Sequence, residues 1–491
     1  MKLSKLKITI LLSGLLFFSA ACEGFLDVNT DPTAPSEVPE DLQLSALLGV
    51  FSYQTIGNEP ARTTNRWVQQ LAWSGFPPSS DNYDFDESGP NNFWNSSYTV
   101  VLNNARELEN LAEENGNLAY SGIAKVIQAW SFAILTDLWN EIPYTEAFDP
   151  ANTTPAYDSQ ELVYSEVISL LEAALVDLSS ESPEAPGSDD LLYGGDLVKW
   201  QKLANTLIAR YQLRLTNAPG HSASEQANLA LQALSNGFDS NSDDADFEYY
   251  DNAGEENPWY QFAIDGKWDT RDQLSDHYIN LLKDLDDPRL PIQARPVGAV
   301  NNSGLVPGFD PDTVEYAGNV NGSEGDGAGS YSSIGAFYSD ADSPLTWASY
   351  AEAKFIEAEA TYIAQGAASA QDVYEEAIRA SMSKLGVSQE AADSYIASLG
   401  PLAASANPLE DIIVQKYIAN FLSLENYNDW RRTGYPELEP AVDPYTPSGE
   451  IPVRYPYPTS ELQNNAESVS STGIPVGYGS LDINVWWDSQ N

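Results

Sequence analysis

Apolar residues recur at spacings of three and four along the stretch from Ile123 to Leu138. They are Ile123, Val126, Ile127, Trp130, Ile134, Leu135 and Leu138. This repeat places them on one face of an α-helix, as expected for a helix packed in a core. Pro143 cannot donate a backbone hydrogen bond and moves Ile142 away from helical angles, so the helix must end before it. We therefore predict a long core helix that runs into a fixed turn at residues 140–144.

The same repeat predicts most of the remaining helices. Helices are expected over residues 93–111, 197–215, 273–285 and 409–427, and after a capping box formed by Asp158 and Glu161. Residues 346–366 and 372–386 show the pattern of small and large side chains typical of a tetratricopeptide-type helical hairpin. The pattern as a whole predicts a mostly α-helical fold.

Two long stretches lack this periodicity and are rich in aromatic residues. Residues 62–94 pass from a helical start into a polar loop, and Asp, Asn, Gly, Pro and aromatic side chains dominate residues 236–343. Long loops without secondary structure of their own are usually functional or mobile. We expect residues 236–343 to form a loop-rich insertion that faces the first stretch, so that the two together form the binding surface.

The mixture of aromatic and hydrogen-bonding side chains in these loops suits a sugar ligand. A sugar ring has an apolar face of C–H groups and a rim of hydroxyls, which aromatic planes and Asn, Asp or Arg side chains can match. The candidate ligand contacts, chosen by loop position and chemistry, are Trp73, Asn82, Tyr83, Trp259, Trp268 and Tyr331. The alternative for each aromatic ring is that it folds inward and fills the core.

The N-terminus has the order of a secretory signal peptide. Residues 1–21 run from basic through apolar to small side chains, and the apolar part is too short to be a comfortable membrane span. Cys22 follows directly, and it is the only cysteine, so an intrachain disulfide is excluded. A bacterial lipoprotein is cut and lipid-modified at such a cysteine. We predict a lipid anchor and tether over residues 22–40 and one domain over residues 41–491.

Composition and charge narrow the class of protein. A hydrophobic content of 42% and an aromatic content of 11% indicate a folded chain. Without the three lysines of the signal peptide, 20 Lys and Arg stand against 72 Asp and Glu, a formal charge of −52. Such a field excludes nucleic acid as a partner and favours a neutral ligand over an anionic one.

The sequence shows little that resembles a metal or cofactor site. His221 and His277 stand apart without other ligands at zinc spacing, and both are assigned to ordinary positions. We expect no cofactor. An irregular calcium site remains an alternative to a plain solvated loop, and its ligands would be Asp243, Asp244, Asp246 and Glu248.

Two other classes of protein are alternatives to a binding protein. A glycoside hydrolase needs only two suitably placed carboxylates, but among 72 acidic residues such pairs carry no information. The chain also lacks the alternating strand and helix pattern that carries most such sites. A helical scaffold that binds only protein would not need so many aromatic residues in polar loops. We therefore predict that the protein is not an enzyme.

Several segments resemble the SusD/RagB family of nutrient-binding outer-membrane lipoproteins. Residues 136–144, TDLWNEIPY, are similar to a family segment that follows a core helix, with Asn140 where the family has Gly. Residues 25–32, 287–291 and 451–465 resemble further family segments in the same order. In the segment 287–291, the resemblance implies that Arg289 ties the loop down.

The resemblance implies a fold, a location and a partner. The fold would be a scaffold of tetratricopeptide-like helix pairs with a loop-rich, ligand-binding insertion. The protein would be anchored in the outer membrane, face outward, and deliver a bound glycan to a SusC-like, TonB-dependent β-barrel transporter. Peptides or another nutrient are the alternative cargo, because members of the family differ in what they bind.

Overall fold

Helices form most of the structure. A computed structural model of the protein describes residues 38–78, 80–266, 270–309 and 314–488. The α-helices are α1 (Glu40–Val50), α2 (Glu59–Trp67), α3 (Asn91–Ser96), α4 (Asn103–Asn115), α5 (Leu118–Trp139), α6 (Gln160–Leu178), α7 (Leu197–Arg214), α8 (Ala223–Leu234), α9 (Pro258–Ala263), α10 (Asp276–Asp284), α11 (Leu290–Gln293), α12 (Ala336–Ser339), α13 (Tyr350–Gln365), α14 (Ala367–Lys384), α15 (Gln389–Leu399), α16 (Pro408–Ala419), α17 (Glu425–Thr433), α18 (Thr459–Asn464) and α19 (Ala466–Ser471).

The strands are short and pair only two at a time. They are β1 (Leu71–Trp73), β2 (Asp246–Phe247), β3 (Asp272–Leu274), β4 (Ala294–Arg295), β5 (Val300–Asn301), β6 (Gly304–Leu305), β7 (Ser333–Ile334) and β8 (Leu345–Thr346). The antiparallel pairs are β1 with β3, β2 with β8, β4 with β7, and β5 with β6. Most strands therefore fasten loops to one another, and the predicted mostly α-helical fold is confirmed.

The predicted core helix is α5. Every residue from Ala119 to Trp139 is buried, and the helix ends at Asn140, whose φ is 73°. Asn tolerates positive φ better than most residues, which explains how it can stand at this turn. By length and composition α5 could cross a membrane, but 94% of its apolar stretch is buried inside the protein. It is the core helix of a folded domain.

Neighbouring helices pack side by side around α5. Helices α4 to α8 each contact the next, and α13 packs against both α8 and α14. The predicted helical hairpin is formed by α13 and α14, which are joined at Gly366 with a φ of 88°. Phe355, Tyr374 and Ile378 are buried between the helices of this part of the chain. Helix pairing of the predicted kind therefore builds the scaffold.

Several predicted boundaries were wrong for local reasons. The N-cap of α6 is Ser159, whereas the Asp158 carboxylate accepts hydrogen bonds from the backbone of Tyr144 and Thr145. Residues 272–274 form β3 instead of the start of a helix. The helix predicted over residues 409–427 is two helices, α16 and α17, separated near Leu422, which has a φ of 67°. A further difference is a π-helical turn, Ser97–Leu102, between α3 and α4.

Arg289 fastens the segment after α10, as the resemblance implied. Its guanidinium is fully buried and donates hydrogen bonds to Asp287 (2.7 Å), Gln415 (2.6 Å) and Ser381 (3.2 Å). The segment is thereby joined to α14 and α16. Burial opposes ionisation of Asp287, but the adjacent Arg289 cation lowers the pKa of that carboxyl overall.

Buried ion pairs connect the core helices. Asp137 on α5 accepts a hydrogen bond from Arg214 on α7 at 2.8 Å, and Arg214 also contacts Glu425 on α17. A second pair joins Arg432 on α17 to Glu359 on α13. Charges in a core are costly unless each has its partner, so these contacts fix how the helices are arranged.

Removing one partner from such a pair should therefore be costly. The variant Glu359→Gln leaves the Arg432 guanidinium buried with incomplete compensation. We expect the free energy of unfolding to fall by roughly 3 kcal/mol, measured by denaturant titration. The matched control is Glu375→Gln, which removes a partner of the half-exposed Arg379 within α14. In this control the free energy of unfolding should fall by less than about 1 kcal/mol. Equal, small losses in both variants would contradict a supporting role for the buried pair.

Candidate functional site

The two loop-rich stretches meet, as the sequence predicted. Strand β1 pairs with β3, so that Trp73 lies opposite Asp272. The Asn319 side-chain amide donates a hydrogen bond to the Trp73 carbonyl at 2.8 Å, and the Gly327 backbone N–H donates to the Ser74 carbonyl at 3.0 Å. Residues around Trp73 are thus fixed to the insertion at several points.

Two arginines lie close to the indole ring of Trp73. The guanidinium carbons of Arg66 and Arg271 lie 4.9 Å and 5.0 Å from the ring centroid, within the range of cation–π contacts. The indole N–H donates to the Pro77 carbonyl at 3.2 Å, and the ring remains partly exposed. Trp73 is therefore held in a defined orientation at the protein surface.

Asp272 holds the arginines that support this arrangement. Its fully buried carboxylate accepts hydrogen bonds from Arg66 at 2.6 Å and from Arg62 at 2.9 Å. Burial opposes ionisation of Asp272, but the two guanidinium groups outweigh it, and the pKa of the carboxyl is lowered. The site is thus built on a buried ion cluster, which restricts the motion of the strands that carry it.

Phe76 is the most exposed large hydrophobic side chain in the described part of the chain, at 68%. It lies three residues after Trp73, and the sequence analysis did not choose it as a ligand contact. The Pro-Pro and Ser residues that follow it were a signal of a loop tip. Tyr331, also partly exposed, lies in the insertion loop that contacts Ser74. We call Trp73, Phe76 and Tyr331 the aromatic surface.

Three of the predicted ligand contacts are buried, and the prediction is corrected for them. Tyr83 is 1% exposed and its hydroxyl accepts a hydrogen bond from the Ala441 backbone N–H at 2.8 Å. Asn82 is buried as well, and its carbonyl accepts from the Tyr445 backbone N–H at 2.9 Å. Trp259 is 2% exposed. Rings without an accessible face cannot stack on a ligand.

Trp259 instead lines a cavity bordered by core residues. The cavity has a volume of about 80 Å³, and Trp130, Trp347 and Arg210 line it as well. Trp259 belongs to the main hydrophobic core. Two further predictions, Trp268 and the lipid attachment at Cys22, lie outside the described residues.

The acidic stretch considered for calcium is paired with lysines. Asp243 accepts from Lys202 at 2.9 Å, while Asp244 and Asp246 accept from Lys384 at 2.7 Å and 2.8 Å. Within the described residues, no group of three or more His, Cys, Asp or Glu side chains is arranged to hold a metal ion. The two ammonium groups supply the positive charge that a cation would bring.

An acidic groove lies beside the loops that carry the aromatic surface. It has a volume of about 430 Å³, and its polar lining residues include Gln69, Asp276, His277, Asp284, Glu437 and Glu439. Burial lowers the pKa of His277 to about 4 in spite of the attraction of Asp276. Its Nε2 atom has no hydrogen-bond partner among the described residues. His277 is therefore neutral at pH 7.

The low pKa of His277 predicts a pH dependence of stability. Between about pH 6.5 and 4 the unfolded chain binds a proton at this residue and the folded chain does not. The free energy of unfolding therefore falls as the pH is lowered through this window, by at most about 1.4 kcal/mol per pH unit from this group. In His277→Gln the free energy of unfolding should fall less steeply as the pH is lowered, as measured by urea titrations across the window. Parallel curves for the two proteins would contradict the assignment.

Comparisons with known proteins agree on one family. A family model described as SusD-like_2, "Starch-binding associating with outer membrane", matches residues 34–458. A search of curated proteins gave no match.

The solved structures that match cover nearly the whole chain. A chitin-binding protein is 27% identical with a TM-score of 0.75, and the match covers 92% of this chain and 100% of the other. A SusD/RagB family protein from Bacteroides thetaiotaomicron is 25% identical with a TM-score of 0.77, covering 93% and 100%. A chitin-binding SusD homologue from Flavobacterium johnsoniae shares the fold at 24% identity, with a TM-score of 0.74 and coverage of 92% and 98%.

Proposed function

The chain belongs to the SusD-like family, and on that premise we propose that it captures a neutral glycan at the cell surface for import. The family is one of binding proteins and not of enzymes, so the protein breaks no bond in its cargo. The observation that carries the proposal is the aromatic surface, in which exposed Phe76 and partly exposed Trp73 and Tyr331 lie on loops joined by the β1–β3 pair and the bond from Gly327 to Ser74.

The aromatic surface has the chemistry that a sugar requires. Phe76 offers an exposed ring, and Trp73 offers an indole fixed by Arg66 and Arg271. Rings held in place lose little conformational freedom when a ligand stacks on them, which favours affinity. Arg271 is exposed, and its guanidinium lies next to the Trp73 ring.

The charge of the protein favours a neutral cargo. Besides the overall negative charge, the groove next to these loops is lined by Asp276, Asp284, Glu437 and Glu439. Carboxylates accept hydrogen bonds from sugar hydroxyls, whereas they repel uronates or sulfated sugars. One similar structure is a chitin-binding protein, and the family description names starch binding. Chitin and starch are both neutral or nearly neutral polymers.

The family also supports a location and a partner. Its description includes association with the outer membrane. We propose that Cys22 carries the lipid, that residues 22–40 form the tether, and that the domain faces outward. In this arrangement the domain would cover a SusC-like, TonB-dependent β-barrel transporter and pass the glycan to it.

The first test is isothermal titration of the soluble chain that begins after Cys22. The titrants are neutral polysaccharides, including starch and soluble chitin oligosaccharides, anionic polysaccharides and a peptide mixture. We expect saturable binding of a neutral glycan without release of reducing ends. Binding of peptides alone would replace the cargo and keep the family, whereas reducing-end release would overturn the assignment as a binding protein.

The aromatic surface is tested by Phe76→Ala and Trp73→Ala. Each should weaken glycan binding by roughly 1–3 kcal/mol, as for other stacked aromatic contacts. The matched control is Tyr250→Ala, because Tyr250 is an aromatic residue with 57% exposure that lies outside the aromatic surface. Phe76 is 68% exposed and belongs to no hydrophobic cluster of the described residues, so its removal should leave the thermal transition nearly unchanged. Unaltered affinity in both test variants would exclude the aromatic surface as the binding site.

The anchor is tested in a Gram-negative host with labelled fatty acid. We expect the full chain to take up the label and to fractionate with the outer membrane, and Cys22→Ser to lose both properties. External protease should cleave the anchored protein on intact cells if the domain faces outward. Uptake of label by Cys22→Ser would show that the lipid is attached elsewhere.

A further inference from the structure

A second exposed aromatic pair lies apart from the aromatic surface. The rings of Tyr445 and Tyr478 have centroids 5.4 Å apart and planes inclined by 50°. Tyr445 is 49% exposed, and Tyr478 is partly exposed. Tyr478 packs against the edge of the main hydrophobic core and keeps part of its surface exposed, whereas Tyr445 lies outside that core.

The loops that carry the pair are fixed. The Tyr478 hydroxyl donates a hydrogen bond to the Asp84 carboxylate. The Tyr445 backbone N–H donates to the Asn82 carbonyl at 2.9 Å, and the Ser448 hydroxyl donates to Asp482 at 2.7 Å. The rings are therefore presented to solvent in a defined geometry, which lowers the entropic cost of binding a ligand there.

The pair is joined to the aromatic surface through the same loops. The Asp81 carboxylate accepts hydrogen bonds from the backbone N–H groups of Trp73 at 3.0 Å and Gly322 at 3.1 Å. The Val442 backbone N–H donates to the Asn321 carbonyl at 2.9 Å. A series of hydrogen bonds thus connects Trp73, through residues 81 and 321–322, to the segment that contains Tyr445. Exposed Val320 and Val442 lie along this path.

The charged groups bound to these loops are carboxylates. Asp84 contacts Tyr478, Glu87 accepts from the Gly477 backbone N–H, and Asp482 holds Ser448. A neutral polyol can donate its hydroxyls to such groups while an aromatic face covers its C–H surface. An anionic chain would meet repulsion at the same place. The surroundings of the pair therefore match the cargo proposed for the aromatic surface.

We propose that Tyr445 and Tyr478 form a second stacking subsite for the same neutral glycan chain. The inference rests on the proposed function and adds that the cargo is a polymer long enough to bind both aromatic positions. Two linked contacts on one chain raise the apparent affinity through effective concentration, without any new interaction at either position. The protein would then hold polymers more tightly than short oligosaccharides.

The test compares long and short forms of starch and chitin on the soluble chain. The probes are amylopectin and maltotriose, and chitohexaose and chitotriose. In Tyr445→Ala and in the double variant with Tyr478→Ala, apparent affinity for the long probes should fall at least about tenfold, while the trisaccharide affinity changes less than about twofold. Tyr478→Phe keeps the ring and removes the bond to Asp84, and it should bind the long probes nearly as the unaltered protein does.

The outcomes separate this inference from the proposed function. Unchanged affinity for the long probes in the double variant, together with a loss in Phe76→Ala, would overturn the second subsite and leave the proposed function intact. Absence of glycan binding by the unaltered chain would overturn both. A change in self-association or in transporter binding, with glycan affinity unchanged, would identify the pair as a protein contact and also overturn the inference. Thermal unfolding of each variant shows that the fold is retained.

Discussion

The buried carboxylate of Asp137 holds together segments that lie far apart in the chain. It accepts hydrogen bonds from Arg214, Tyr164, Asn428 and the Trp487 indole, and the Asp137 carbonyl accepts from Arg431. An ionised group in a core is tolerated only when such partners surround it. The position of the core helix is therefore coupled to α6, α7, α17 and the C-terminal residues. A scaffold whose helices are fixed in this way gives the long loops a rigid base.

The loops repeat this principle on a smaller scale. Asp272 is fully buried and binds Arg62 and Arg66, and Arg66 in turn lies near the Trp73 ring. The β1–β3 pair and the contacts of Asn319 add backbone restraints. Recognition by stacking depends on rings whose orientation is set before the ligand arrives. The ion cluster beneath the loops thus helps to hold the aromatic residues on their outer side in a fixed orientation.

Two features of the structure suit the proposed role in glycan binding. Buried ion pairs together with a large helical core stabilise the body of the protein without an intrachain disulfide. Exposed aromatic rings near carboxylates suit the neutral glycan that is proposed as cargo. The strong negative charge is compatible with both, because it keeps the protein soluble and does not oppose a neutral ligand.

The sequence was enough to predict most of the helices, the family and the meeting of the two loop regions. Helical periodicity is a local property of the chain, so α5, α7 and the α13–α14 hairpin could be predicted from spacing. The sequence could not decide which aromatic rings are exposed. Tyr83 is covered by a segment that contains Ala441, far away in the chain, whereas Phe76 is 68% exposed. Exposure depends on which distant segments pack over a ring, and only the tertiary structure fixes that.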